Sequence, residues 1–412
     1  MTKLDLTRNL LTISPYSPYP PRSGGTKRIF NLNLGYAALG WKVRQISGAT
    51  MQQGVLDLLR FRRREIAPYY LEDFSFNPLI ILGNRLLRTR ETAQIAGSLL
   101  PRFLRPAPLI RAAMANSKIV LFEHPHFFDM AAPWLRDDHF VILDAHNVET
   151  EIYAHLLDDS GVEGRAARAL ERVERACLAR ADLVFACSSI DREKMVSRFD
   201  VGADRVHVAP NGVDLTAIPF FTETQRAQAK HKLGFAGNRL ALFVGTRWAP
   251  NMEAARHVIE IAGSNPDFIH VIAGSVGDGL GKSNLPGNVI ITGSVEELNP
   301  WFAAADIALN PMESGSGSNI KMFEYCAAGL PVLTTRFGMR GVEDSSGRAL
   351  IVSEVPNMPQ ALGALMMSPD LDQRRADARL VAEQYSWSAI ARQISDTITE
   401  TMAHRMPSTS LH

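Results

Sequence analysis

The chain has 412 residues, of which 46% are hydrophobic and 21% are charged. This length exceeds what one compact core supports, so it predicts two domains and excludes a small binding module; the composition is that of a soluble globular enzyme. The net charge of +1 and the lack of a reader motif argue against nucleic acid as a partner. Three cysteines without a CxxC pair indicate neither a disulfide framework nor a zinc knuckle.

Apolar runs of strand length alternate with helical periodicity, which is typical of parallel sheets covered by helices. In the first half, a strand at 10–14, a helix with apolar residues at steps of three and four, and a strand at 43–46 form a βαβ unit. Further strands are predicted over 119–122, 141–144 and 183–186. Residues 50–115 give no clear pattern.

Positive charge is concentrated in the same half. Residues 1–118 contain 18 Lys and Arg against 6 Asp and Glu. Many of these cations alternate with apolar residues, namely Arg60, Arg62, Arg63, Arg64, Arg85, Arg88, Arg90, Arg102 and Arg105. Two interpretations stay open: a solvated arginine-rich helix pair, or an amphipathic surface that contacts an anionic membrane. The N-terminal residues lack the apolar segment of a signal peptide, which predicts a cytoplasmic protein, either free or peripheral on the inner face of the membrane.

A second series of elements begins near residue 240. It contains a helix over 252–261 and strands over 241–245, 269–273, 289–292 and 307–310. Residues 209–238, with prolines and one short helix, predict a connection between domains. The pattern predicts an α/β fold with two Rossmann-like domains that face each other across a cleft. We place these domains at 1–212 and 213–386, followed by a closing helix and a flexible tail over 387–412.

The most informative segment is 310–335, where a strand ends in a loop of Gly and Ser, a helix is predicted over 318–328, and Pro331 opens the next strand. Gly315 and Gly317 allow backbone N–H groups to approach an anion, and a helix N-terminus adds partial positive charge. We therefore predict that a phosphate group binds to Gly315, Ser316, Gly317, Ser318 and Asn319.

Two charged residues in the predicted helix support this interpretation. Lys321 lies in the first turn, where a cation opposes the helix dipole unless an anion is bound nearby. Glu324 follows about 9 Å beyond Ser318 along the axis, near the distance between the sugar and the ribose across a diphosphate. Glu324 is thus a candidate acceptor of ribose hydroxyl hydrogen bonds.

This segment resembles the C-terminal signature of family 4 glycosyltransferases of the GT-B fold, which has a pair of glutamates followed by an Ala-rich stretch and Gly-x-Pro-Val. Glu324 matches the second glutamate, and Ser316 stands at the position of the first. The resemblance implies a GT-B fold and a retaining transfer from a nucleoside diphosphate sugar. It implies neither a cofactor nor a metal.

Further similarities extend over most of the chain. The sequence around Gly24 and Gly25 resembles the family's glycine-rich N-terminal loop, which implies a position near the donor phosphates. The stretch 243–251 resembles the first strand and loop of the nucleotide-binding domain, and Arg247 with Lys321 would neutralise the diphosphate. His146 resembles the family's histidine close to the donor sugar. These comparisons make His146, Arg247, Lys321 and Glu324 the catalytic candidates.

Two more histidines, His124 and His126, also follow a predicted strand. With Glu123 they suggest a metal site, but their spacing matches no helical or zinc motif, so no metal is predicted. A role in binding the acceptor and a packed loop are equally compatible with the sequence.

The sequence thus predicts transfer of a sugar from a nucleotide-sugar donor to a saccharide or lipid-linked acceptor, with the enzyme stabilising the charge of the diphosphate leaving group. Two alternatives stay open. The first is a nucleotide-sugar epimerase of the same fold, for which Glu123 and Glu149 are the candidate acids and bases. The second is a noncatalytic nucleotide-sugar-binding protein, suggested by Ser316 in place of a glutamate.

Overall fold

The computed structural model describes residues 8–21, 23–48, 63–75, 107–156, 161–281, 284–315 and 318–405. The strands are β1 (Asn9–Ser14), β2 (Lys42–Gly48), β3 (Arg63–Ala67), β4 (Tyr70–Ser75), β5 (Ile119–Glu123), β6 (Phe140–Ala145), β7 (Leu183–Ala186), β8 (Val206–Val208), β9 (Arg239–Val244), β10 (Phe268–Ala273), β11 (Val289–Gly293), β12 (Ile307–Asn310), β13 (Val332–Thr334) and β14 (Leu350–Val352). The helices are α1 (Gly24–Ala38), α2 (Ala107–Ala115), α3 (Phe128–Ala131), α4 (Glu149–Leu156), α5 (Gly161–Arg180), α6 (Ser189–Phe199), α7 (Glu223–Lys232), α8 (Ala249–Ser264), α9 (Asn299–Ala304), α10 (Ile320–Ala327), α11 (Met358–Met366), α12 (Leu371–Gln384) and α13 (Trp387–Arg405).

The chain divides into two compact units. The first unit comprises Met1–Ala209 and Trp387–His412, and the second comprises Pro210–Ser386. The division lies close to the predicted boundary at residue 212, and the last helix belongs to the first unit.

The first unit is built on an eight-stranded sheet with the order β3-β4-β2-β1-β5-β6-β7-β8. Its neighbouring strands are parallel except for β3 and β4, which pair antiparallel. Strands β5, β6 and β7 are buried along their whole length, as expected of central strands covered on both faces. Because parallel strands end at the same edge, the loops after β1, β5 and β6 begin side by side.

The second unit contains a parallel six-stranded sheet with the order β11-β10-β9-β12-β13-β14. Side chains of β9 alternate between two hydrophobic clusters: Leu240 and Leu242 pack on one face, and Ala241 and Phe243 on the other. Helices therefore cover both faces of this sheet. The strand order changes direction between β9 and β12, which is where open α/β sheets bind ligands beyond the strand ends.

Helix α1 follows the pattern expected from the sequence. Ser23 caps it, because the Ser23 hydroxyl accepts from the Thr26 backbone N–H and the Thr26 hydroxyl accepts from the Ser23 N–H. The predicted apolar positions, such as Ile29 and Leu32, are fully buried. Helix α13 packs against α1 so closely that a Cβ atom at Gly35 would clash with Ala391.

Two sequence expectations differ from the structure. The helix predicted to begin at Ser318 begins at Ile320, because Asn319 has an extended conformation and the Ser318 hydroxyl accepts hydrogen bonds from Asn211. Four strands were not predicted, β3, β4, β8 and β14. Two of them lie in the region without a clear pattern, and the other two have only three residues each.

The predicted basic surface is described only in part. Arg63 forms an ion pair with Asp73 at 2.7 Å, and Arg64 pairs with Glu72 at 2.6 Å, so acidic neighbours neutralise these two cations. The other arginines named for this surface lie outside the described residues. Among the residues that are described, no helix has both the length and the apolarity needed to cross a bilayer.

Candidate functional site

Gly315 lies in the loop between β12 and α10, beyond the carboxyl end of the sheet in the second unit. Its φ of 132° favours glycine, and a Cβ atom there would lie 3.0 Å from Arg340 Nη2 and 3.3 Å from Trp248 Cη2. The Arg340 guanidinium therefore lies directly against the loop backbone. The predicted phosphate-binding residues Ser316 and Gly317 lie outside the described residues.

Lys321 is the second residue of α10, and its ammonium group is held by neutral partners. Nζ donates a hydrogen bond to Asn251 Oδ1 at 2.7 Å and lies 4.4 Å from the centre of the Phe243 ring. Burial of the ammonium and the neighbouring Arg340 cation lower the pKa of Lys321 to about 7, against the opposing effect of Glu324. An anion bound beside the ammonium would raise the pKa of Lys321 again, because it favours the charged form.

Arg340 is a site residue that the sequence analysis missed. It is 7% exposed, its guanidinium stacks 4.1 Å from the Phe337 ring, and Nη1 donates to the Phe337 carbonyl at 3.0 Å. It comes from the loop that follows β13, the strand next to β12. In the sequence, Arg340 is an arginine a few residues beyond a buried strand, which alone does not indicate a site. Its position beside the Gly315 loop follows from the strand order, which places β13 next to β12.

Other predicted residues of the second unit surround the same loop. Ser318 and Asn319 are buried immediately before α10, and the Asn319 side chain donates to the Gly338 carbonyl at 2.9 Å. Glu324 is 8% exposed, but it lies only four helical residues after Ile320, about 6 Å along the axis. The predicted separation of about 9 Å from Ser318 assumed helical rise over all six residues, and Ser318 and Asn319 precede the helix; the role of Glu324 stays a prediction.

Arg247 lies in the loop after β9, and its side chain is exposed. Its backbone N–H donates to the Ser275 hydroxyl at 3.0 Å. This hydrogen bond fixes the position of the loop backbone and does not orient the Arg247 guanidinium. Its role in binding a diphosphate stays a prediction.

His146 lies just beyond β6 in the first unit, at the edge where β5 and β6 end. Glu123 pairs with Asp144 in the register of these strands, and His146 Nε2 lies 3.1 Å from Glu123 Oε2. Arg28 of α1 binds both carboxylate oxygens of Asp144, at 2.8 and 2.6 Å. This buried bidentate pair ties α1 to the strand that carries His146.

Gly25 and His146 come together in the structure. Helix α1 begins at Gly24, so the two glycines form its first turn rather than a loop before it. A Cβ atom at Gly25 would clash with the Tyr16 hydroxyl and would lie 3.5 Å from His146 Nδ1. The close approach of this backbone to His146 explains the glycine in physical terms.

His124 and Glu149 extend this cluster. His124 Nδ1 lies 2.6 Å from Glu149 Oε1, and its Nε2 lies 2.8 Å from the Tyr16 hydroxyl. The ring centres of His124 and His146 are 3.9 Å apart. His124 has a φ of 66°, an unusual conformation for a residue with a side chain.

Burial controls ionisation in this cluster. It lowers the pKa of His146 and of His126 to about 4, so both imidazoles are neutral at pH 7. Burial and the adjacent Asp144 carboxylate raise the pKa of Glu123. Burial also opposes ionisation of Glu149, but the nearby His124 and its hydrogen bond outweigh it and lower the pKa of Glu149 to about 2.

Comparison with known families accounts for both units. Residues 23–217 match the model of glycosyltransferase family 4, and residues 238–368 match the model of glycosyl transferases group 1. The chain belongs to glycosyltransferase family 4.

Two curated relatives of the chain carry the name D-inositol 3-phosphate glycosyltransferase. The protein from Nocardia farcinica is 27% identical over 301 residues, which cover 66% of this chain and 65% of the relative. The protein from Nocardioides is 25% identical over 284 residues, which cover 61% of this chain and 60% of the relative. The matched region spans less than two thirds of the length of either relative.

Solved structures confirm the predicted GT-B fold class of the chain. Sucrose-phosphate synthase from Thermosynechococcus elongatus aligns with a TM-score of 0.72 at 15% identity, covering 96% of this chain and all of the other. Anabaena HepE in complex with UDP and glucose aligns with a TM-score of 0.66 at 13% identity, covering 95% of this chain and all of the other.

Proposed function

We propose that the chain is a retaining hexosyltransferase that moves a sugar from a nucleoside diphosphate sugar to a hydroxyl group of a saccharide or lipid-linked acceptor. The assembly of a polysaccharide or glycolipid is the proposed context. The observation that carries the proposal is the cationic environment of the Gly315 loop. There Lys321 is held by a neutral amide and an aromatic ring and stands next to Arg340.

A diphosphate fits this environment because it supplies the negative charge that the two cations favour. During transfer, the bond between the anomeric carbon and the diphosphate oxygen breaks, and a bond to the acceptor oxygen forms. The acceptor proton moves to the leaving diphosphate, so no protein carboxylate is required as a nucleophile. Lys321 and Arg340 would stabilise the charge that develops on the leaving group.

The remaining candidates receive roles within the same proposal. Glu324, nearly buried on α10, would accept hydrogen bonds from the ribose. His146 would bind hydroxyl groups of the sugar as a neutral imidazole, in keeping with its lowered pKa. Arg247, exposed beyond β9, would add a third cation to the diphosphate.

The proposal does not favour the epimerase alternative. Its candidate carboxylates, Glu123 and Glu149, are buried and each lies against a histidine of the cluster. Family membership also supports transfer over epimerisation. UDP in the HepE complex makes a uridine nucleotide the first donor to test.

Ligand-induced stabilisation followed by a transfer assay tests the proposal. Thermal melting is measured with UDP, GDP, ADP and their sugars. A ligand at one hundred times its dissociation constant should stabilise the protein by about 2.7 kcal/mol. The best donor is then supplied with a radiolabelled sugar and a membrane extract as the acceptor pool.

Lys321→Met should lose most of the stabilisation by nucleotide and the transfer of label. Lys230→Met is a matched control, because Lys230 is also half-buried but forms an ion pair with Asp306 at 2.7 Å. If no nucleotide stabilises the wild type, or if Lys321→Met binds as tightly as Lys230→Met, the proposed donor site is wrong. Binding without any transfer would instead favour the noncatalytic alternative.

A further inference from the structure

His126 is the least satisfied polar side chain of the cluster in the first unit. It is completely buried, and within the described residues neither of its ring nitrogens has a hydrogen-bond partner. Buried polar atoms almost always have partners, so an exception such as this points to an ion or water at the site. Its Nε2 lies 3.7 Å from Glu149 Oε2, too far for a hydrogen bond.

The surrounding atoms match the ligand set of a transition metal. One nitrogen each of His124 and His126 and one oxygen of Glu149 lie within 4.8 Å of one another. Two imidazoles and a carboxylate form a common protein ligand set for zinc, which leaves a further coordination position open. We propose that His124, His126 and Glu149 bind a divalent transition-metal ion, with Zn²⁺ as the expected occupant.

Small movements would complete the coordination. Ligand atoms about 2.0 Å from a tetrahedral metal are roughly 3.3 Å apart. The contact of 2.6 Å between His124 Nδ1 and Glu149 Oε1 would open by less than 1 Å, and the neutral ring would bind the metal as the tautomer that carries its proton on Nε2. His124 Nε2 would keep its hydrogen bond with the Tyr16 hydroxyl, which orients the ring.

The ligand that comes from α4 is held in place through its backbone. Helix α4 begins at Glu149, and Glu174 fixes this end by accepting from the backbone N–H groups of Glu149 and Thr150 at 2.8 Å.

The neighbouring group of Glu123, Asp144 and His146 is a weaker candidate, although its atoms are equally close. Both carboxylate oxygens of Asp144 already accept hydrogen bonds from Arg28. A metal there would compete with a buried ion pair, whereas neither ring nitrogen of His126 has a hydrogen-bond partner in the part of the chain that the structure describes.

This inference revises the expectation that no metal binds. The spacing of His124 and His126 matches no zinc motif because the third ligand comes from the helix after the next strand. The site lies beside His146, and an ion would fix the loop after β5 against α4. It is independent of diphosphate binding, which the second unit is proposed to perform.

Metal analysis tests the proposal directly. The protein is produced with added zinc, dialysed against metal-free buffer and analysed by inductively coupled plasma mass spectrometry. We expect about one zinc per chain, a melting temperature that falls on treatment with EDTA, and visible absorption bands of four- or five-coordinate cobalt after Co²⁺ replacement.

Glu149→Gln, which preserves size, and His126→Phe should each lose the bound zinc and the effect of EDTA. His270→Phe is the control, because His270 is also fully buried but lies in the second unit, on β10. Should His126→Phe fail to fold, Glu149→Gln alone decides the question. A wild-type protein without zinc after supplementation, or a Glu149→Gln variant that retains zinc, overturns the proposal.

Discussion

Binding of a nucleoside diphosphate should be coupled to protonation of Lys321. In the empty site, burial and Arg340 lower the pKa of Lys321 to about 7, so at pH 7.5 about three quarters of the lysines are neutral. A bound diphosphate would raise this pKa, because an adjacent anion favours the charged form. Binding should therefore take up about three quarters of a proton per site at pH 7.5, and close to one at about pH 9.

The sign and size of the pH effect follow from this linkage. Above pH 7 the free site must acquire a proton to bind, so affinity falls by up to about tenfold per pH unit between pH 7.5 and pH 9. The phosphate groups do not contribute in this range, since their second pKa is about 6 and they are already ionised.

Isothermal titration calorimetry with UDP measures both quantities. Titrations at pH 7.5 in buffers with different ionisation enthalpies give the number of protons taken up, and titrations up to pH 9 give the slope. Lys321→Arg removes the titration, because arginine stays charged, and should flatten the slope. Lys230→Arg should leave it unchanged, since Lys230 pairs with Asp306. A flat affinity profile in the wild type, with no proton uptake, would refute the coupling.

Two further predictions concern the first unit. Asp144→Asn leaves the Arg28 guanidinium buried without its carboxylate and should reduce the free energy of unfolding by about 3 to 5 kcal/mol in urea titrations; a loss below 1 kcal/mol would contradict the role of this pair. Gly35→Ala forces a methyl group against Ala391 and should cost about 1 to 3 kcal/mol in the same assay, whereas Gly263→Ala, where a Cβ atom meets nothing within 4 Å, should be neutral or slightly stabilising. Equal effects of the two alanines would be evidence against close packing of α1 on α13.

Most central strands could be predicted from the sequence, because a strand covered on both faces is a continuous apolar run. The strands β9 and β12 are examples, with nearly all of their residues buried. Edge elements could not be predicted. Strand β3 carries two arginines and a glutamate, and its pairing with β4 depends on ion pairs such as that of Arg63 with Asp73 rather than on an apolar pattern.

A residue of the site could be predicted from the sequence where its own segment shows that it is unusual. Lys321 was identified because it opposes the dipole of its own helix. Arg340 could not be found this way, because it reaches its neighbours from the loop that follows an adjacent strand. Glu149 was named only as an acid or base of the epimerase alternative; its contact with His124 depends on the helix that follows an adjacent strand. The start of α10 was misplaced for a similar reason: Asn211, far away in sequence, donates hydrogen bonds to Ser318 and keeps it out of the helix.

Each end of helix α10 has a cation beside it: Arg226 at the C-terminal end stabilises the fold, and Lys321 at the N-terminal end is available to a ligand. At its C-terminal end, Arg226 is buried and donates to the carbonyls of Ala328 and Gly329 at 2.7 and 3.1 Å, and to that of Ala305 at 2.9 Å. A cation there stabilises the helix dipole and satisfies carbonyls that the helix leaves unpaired. Lys321 stands at the opposite end, where the dipole disfavours it and its hydrogen bond goes to a neutral amide. Stability of the fold therefore explains Arg226. Among the described residues, the nearby Glu324 does not restore the pKa of Lys321, so a bound anion at this end of the helix would favour the charged form of the lysine.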